Sequence, residues 1–160
     1  MKEKEICIHF TIKQENELSV RELALLDQAR HATYRSYSPY SHFSVGAAVE
    51  LEDGSLVSGS NQENAAYPSG ICAERTAVFY ANSRYPDIPI RTICIAARNA
   101  EGKFPPLPIA PCGACRQVLL EAEQRAGKNI RIILYGAQCI YCFESVLSLL
   151  PFSFNSNFLE

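Results

Sequence analysis

Cys72-Ala73-Glu74 and, farther along, Pro111-Cys112-Gly113-Ala114-Cys115 supply three soft metal ligands and one carboxylate that has no need to ligate. Three thiolates fill three corners of a tetrahedron and leave the fourth for water, as a catalytic zinc requires; a structural zinc takes four protein ligands. The residue types therefore predict one Zn2+ per chain on Cys72, Cys112 and Cys115. Glu74 is two residues from Cys72 and can reach the open side of the metal. Zinc brings the pKa of its water to about 7, and a carboxylate within hydrogen-bond reach can take that proton and hand it to a leaving nitrogen. Three thiolates leave the centre negative, which weakens this acidification. Arg75 is placed to correct it by donating charge-assisted hydrogen bonds to the sulfurs. The plainer uses of Glu74 and Arg75 are a favourable carboxylate in a first helical turn and a solvated helix residue.

These groups need helix starts beneath them. Helical periodicity over residues 73–84 begins just after Cys72, and residues 112–125 read as another helix entered through Pro111, a residue favoured at that position. The partial positive charge of a helix amino end favours thiolate over thiol. Upstream, apolar residues recur at helical spacing over 18–35, with Ser19 and Glu22 forming a capping signature. Residues 44–51 and 56–61 read as a hairpin, 91–98 and 130–135 as buried strands, 99–110 as a proline-rich loop, and 145–150 as a short helix stopped by Pro151. Strands alternating with helices after a hairpin predict an α/β fold, a three-layer α/β/α sandwich on a mixed sheet.

The 160 residues suit one domain with its own core. A formal net charge of -2 gives no basic field for a polyanion, so nucleic acid is not an expected partner. No apolar run approaches a signal core or a membrane span, which predicts no membrane partner and a cytoplasmic protein. Seven cysteines is an odd count, and a reduced compartment argues against a disulfide framework. Cys94, inside the apolar run Ile93-Cys94-Ile95, reads as core. Cys139-Ile140-Tyr141-Cys142 has the gap of a zinc knuckle without a second pair nearby, and reads as strand or loop packing.

Five blocks in order carry a resemblance: residues 40–48 (Tyr40-Ser41-His42-Phe43 onward), Asn61-Gln62-Glu63-Asn64-Ala65-Ala66-Tyr67, Cys72-Ala73-Glu74-Arg75-Thr76-Ala77, residues 111–117, and Leu149-Leu150-Pro151 with Phe154. The sequence resembles the small, homotetrameric, zinc-dependent cytidine deaminases. The resemblance covers residues 18–155, leaving 1–17 as an N-terminal extension and 156–160 as a short tail. It implies a mixed five-stranded sheet and hydrolysis of cytidine and deoxycytidine to uridine and deoxyuridine, with release of ammonia, in pyrimidine salvage. It further implies that Asn61 and Glu63 hold sugar hydroxyls, that Phe43 and Phe154 pack on the nucleoside, and that the backbone at Ala73 bonds the pyrimidine carbonyl. Tyr67 matches a tyrosine entering a neighbouring subunit's site. In the implied mechanism Glu74 deprotonates the water, protonates ring nitrogen 3 as carbon 4 is attacked, and carries a proton to the departing amino group. No redox or organic cofactor is implied beyond zinc.

Two rival readings share these residues. One is a deaminase of an aminopyrimidine nucleoside with a modified sugar; the Asn61-x-Glu63 block favours an ordinary ribose. The other is a non-catalytic zinc module, for which Cys139 and Cys142 are the only evident source of a fourth sulfur. The extension through residue 17, the loop at 103–109 and the segment 139–143 depart from the family pattern.

Overall fold

The computed structural model describes residues 1–159. Six strands form one mixed sheet: β1 (Thr11–Lys13), β2 (Ser44–Leu51), β3 (Leu56–Ser60), β4 (Ile90–Arg98), β5 (Arg131–Tyr135) and β6 (Ile140–Phe143). Their order is β1-β6-β5-β4-β2-β3, with β4 and β5 parallel and every other pair antiparallel. The expected five-stranded sheet is thus six-stranded. The extra strand comes from the segment read as an extension, where Thr11 lies opposite Cys142 and Phe10 stacks on Phe143 at 5.2 Å. Three residues are too few to declare a strand by alternation, so only pairing to β6 defines it.

Helix α1 (Val20–Ala32) covers one face, and α2 (Ala73–Arg84) and α3 (Gly113–Ala126) cover the other, which makes the three layers. Alternation along the central strands divides the core. On β2, Ala47, Val49 and Leu51 face α2 and α3, while Ala48 faces α1. Ser19 caps α1 as its sequence predicts, accepting the Glu22 N–H at 3.2 Å while the Glu22 carboxylate accepts the Ser19 N–H at 2.8 Å. The expected helix over 145–150 is a single 3-10 turn, Val146–Leu149. Pro151 disfavours helical geometry at Leu150, which adopts φ -140 and ψ 67 and ends the turn.

Two glycines let helices approach the sheet closely. A Cβ at Gly46 would lie 2.1 Å from the Ala29 carbonyl oxygen, and one at Gly59 would lie 2.6 Å from the Ala77 nitrogen and 2.9 Å from the Ala73 carbonyl oxygen. The second contact sets the depth of α2, which carries two of the chemical groups at its start. Gly59→Ala therefore forces α2 off β3. We expect a loss of about 1–3 kcal/mol of stability, measured by urea denaturation, together with weaker zinc retention because Cys72 moves with the helix.

Candidate metal and nucleoside site

Cys72 is the N-cap of α2 and Cys112 the N-cap of α3, both in extended conformation, and Cys115 lies in the first turn of α3. Each cap carbonyl accepts the first helical bond, from Thr76 and from Arg116, both at 3.0 Å. Packing α2 and α3 side by side on one sheet face brings the three sulfurs within 4.8 Å of one another, with Cys72 and Cys112 3.9 Å apart. Two thiolates on a tetrahedral zinc at about 2.3 Å stand about 3.8 Å apart, so the observed spacing suits that ion. A disulfide needs about 2 Å, and all seven cysteines are free. The donor set and its spacing fit zinc.

Arg75 donates from its guanidinium to Cys72 Sγ at 3.6 Å, the contact expected from its position. The sulfurs share protons unequally. Cys72 is drawn down to about 5, chiefly by the hydrogen bond from Cys115 and, against burial, by Arg75 and Cys112; Cys115 is pushed up correspondingly. Glu74 is only 5% exposed, and it lines the cavity with Cys72 and Cys112. Burial, then the Cys72 thiolate, raises its carboxyl above the usual carboxylate range. A carboxyl held there exchanges protons more readily near neutral pH than an exposed one.

The cavity beyond has a volume of about 590 Å³, enough for a nucleoside. Phe43, Asn61, Glu63 and Ala73, which the resemblance assigns to the nucleoside, line it alongside Glu74; so does Tyr67, which the resemblance assigns to a neighbouring subunit's site. Asn61 is also a structural brace: its Oδ1 accepts from the Val45 N–H at 2.7 Å and the Ser36 hydroxyl at 2.6 Å, and its Nδ2 donates to the Phe43 carbonyl at 2.9 Å. Glu63 Oε2 accepts the N–H groups of Tyr40 at 2.9 Å and Ser41 at 3.3 Å. Bonding from Ser41, foremost its side chain, holds the Glu63 carboxyl below its ordinary range. Tyr67 sits at the mouth, 74% exposed, with its ring 5.8 Å from that of Tyr40.

Phe154 is not brought to this cavity. It is 58% exposed and stacked on Phe158, with its carbonyl accepting from the side-chain amide Nε2 of Gln117 at 2.9 Å. Sequence reasoning missed Ile109 and Ala110, which wall the cavity from the end of the proline-rich loop, and the Ser36 bond to Asn61. Their spacing carries no periodic signal. The Pro-rich composition of the loop marks a turn-rich path without saying where it docks. Cys139 and Cys142 do not join the sulfur cluster; Cys142 packs with Cys94 in the core on the α1 side of the sheet. The fourth sulfur required by a structural zinc module is therefore not supplied among the described residues. No described helix is long and apolar enough to cross a membrane.

Residues 20–128 match the family model described as the cytidine and deoxycytidylate deaminase zinc-binding region. The cytidine deaminase of Halalkalibacterium halodurans is 42% identical over 99 residues, 61% of this chain and 68% of that protein. That of Mycobacterium tuberculosis is 39% identical over 97 residues, again 61% and 68%. Among solved structures, cytidine deaminase from Burkholderia pseudomallei superposes with a TM-score of 0.70 at 37% identity, covering 82% of this chain and 97% of that one. The Mycobacterium tuberculosis enzyme gives 0.65 at 31%, covering 86% and 99%. A match over more than half of its length, carried on a three-sulfur zinc site with a buried glutamate, places this chain in the cytidine and deoxycytidylate deaminase family.

Proposed function

We propose that the chain hydrolyses the exocyclic carbon–nitrogen bond of cytidine and deoxycytidine, with Cys72, Cys112 and Cys115 holding zinc and Glu74 moving protons. The observation that carries this reading is a cluster of three sulfurs, two of which line a cavity beside a buried carboxyl, in the same cavity that Asn61 and Glu63 line. Bound zinc supplies Lewis acidity that makes water nucleophilic near neutral pH. Glu74 takes the proton from that water and delivers it to ring nitrogen 3. Once carbon 4 carries the hydroxyl oxygen, Glu74 takes the remaining hydroxyl proton and passes it to the exocyclic nitrogen, the C4–N bond breaks as the carbonyl forms, and ammonia departs. Water and cytidine become uridine and ammonia, with no change in oxidation state.

Asn61 and Glu63 orient the sugar in this reading. With Asn61 Oδ1 engaged by the Val45 N–H and the Ser36 hydroxyl, its unused Nδ2–H is a donor to a sugar oxygen, and Glu63 Oε1 accepts from the same hydroxyl. Phe43 packs on the ring, and the Ala73 backbone bonds the carbonyl at position 2. The exposed Tyr67 supports a homotetramer in which it enters a neighbouring site. A cytoplasmic enzyme of pyrimidine salvage accords with this chemistry.

The test is loss of aminopyrimidine absorbance on incubating purified protein with cytidine, with and without a chelator. Turnover that chelation abolishes and zinc restores is expected; no turnover of cytidine, beside good turnover of a modified-sugar analogue, would overturn the substrate assignment. Glu63→Gln is expected to raise KM for cytidine at least about tenfold, the scale of a lost hydrogen bond to a charged group. Steady-state kinetics, with the oligomeric state checked in parallel, measure it.

A further inference from the structure

We infer that Arg116 is a positioning residue for the zinc site, fixing Cys112 through its backbone and tying the start of α3 to the buried turn at residues 146–149. This inference rests on the zinc reading of the cluster. Arg116 makes two hydrogen bonds around Cys112: its backbone N–H donates to the Cys112 carbonyl at 3.0 Å, and its side-chain Nε donates to the Pro111 carbonyl at 2.8 Å. The peptide groups on both sides of Cys112 are thereby held by one residue. That restricts φ and ψ at Cys112, which aim its Cα–Cβ bond and so its sulfur. Arg116 Nη1 then donates to the Leu149 carbonyl at 2.7 Å.

The far anchor is rigid. Leu149 is 8% exposed and Val146 fully buried in the core that α2 and α3 share. The other end of α3 is tied to the same turn, because buried Glu123 accepts the Val146 N–H at 2.9 Å and the Ser145 hydroxyl at 2.7 Å. Its third partner, the Ile130 N–H at 2.8 Å, brings in the lead to β5. Clamps at both ends prevent α3 from sliding along its axis relative to the sheet. Apolar packing alone does not have that effect, because it is non-directional and tolerates small shifts. Zinc does not tolerate them: sulfur positions must hold to within about 0.2 Å of ideal bond lengths. Cys72 arrives on a different helix, so the axial position of α3 decides whether three sulfurs meet.

Only arginine suits this place, since its planar fork presents Nε and Nη donors to two carbonyls at once; lysine offers one compact ammonium. Arg116 does not line the cavity, so its role is separate from substrate contact. It also differs from Arg75, which bonds a sulfur directly.

The experiment compares zinc-loaded wild type with Arg116→Lys, Arg116→Ala and Val146→Ala. The last trims the anchoring turn without removing any of these carbonyls. Arg116→Lys keeps the charge and the aliphatic stem, so it serves if the alanine variant does not fold. Zinc release into a chromogenic chelator is timed, and the absorption of cobalt-substituted protein is recorded. Both Arg116 variants are expected to release zinc at least about tenfold faster than wild type, the scale for residues that orient metal ligands. Their cobalt band should shift, while KM for cytidine stays near that of wild type. Val146→Ala should lower Tm yet keep the wild-type release rate and spectrum. Release from the Arg116 variants no faster than from Val146→Ala, with an unshifted cobalt band, would overturn the inference while leaving the zinc enzyme intact. A wild type that takes up no zinc would instead overturn the reading beneath it.

Discussion

Glu74→Gln will reduce kcat at least about 10²-fold while one zinc per chain and the Tm are retained, because the substitution removes proton transfer and little else. The amide is nearly isosteric with the carboxylate, so the first turn of α2 and the packing of Ala73, Ala77 and Val78 behind it are preserved. It neither takes a proton from water nor passes one to nitrogen. The carboxyl it replaces is buried and raised by desolvation, so the neutral side chain also removes a charge that was costly to keep there. Stability should therefore hold or rise slightly. Single-turnover kinetics, elemental analysis and thermal denaturation on one preparation measure all three properties. Near-normal turnover would remove Glu74 from the proton path.

Cys115→Ala should abolish activity and zinc binding together and lower the Tm. Cys115 is fully buried, and it is the ligand whose thiol bonds Cys72, so its loss leaves two sulfurs at the cavity wall and a void behind them. Two thiolates do not hold zinc against a chelator as three do, and the free energy of metal binding that supports the folded state is lost with the ion. Addition of zinc should raise the Tm of wild type and leave that of the variant unchanged. A variant that kept a full equivalent of zinc would require a ligand outside the sulfur cluster.

The metal site was legible because its signals are local. Cys72 and Cys112 each announce themselves by the residues within one helical turn: the run that follows Cys72 and the Pro111 that precedes Cys112. Glu74 and Arg75 follow from the same turn. The capping pair Ser19 and Glu22, and the hairpin ended by Gly54 at φ +87, were readable for the same reason. Asn61 and Glu63 were legible through the family resemblance, which assigns them to sugar hydroxyls. Their bonds to Ser36, Val45, Tyr40 and Ser41 were not, because these partners lie many residues away and across a loop.

Taken alone, the amino-acid order pointed to the three-sulfur cluster, the carboxyl beside it, the helix starts that hold them and the α/β class. Each depends on chemistry within a few consecutive residues. Tertiary structure decided that Thr11–Lys13 would complete a sixth strand, that Phe154 would lie off its own cavity, and that Arg116 and Glu123 would both bond the turn at residues 146–149. Those outcomes arise from contacts between distant segments. Such contacts form only when whole elements pack against a shared core, and no periodicity or cap in one segment encodes the position of another.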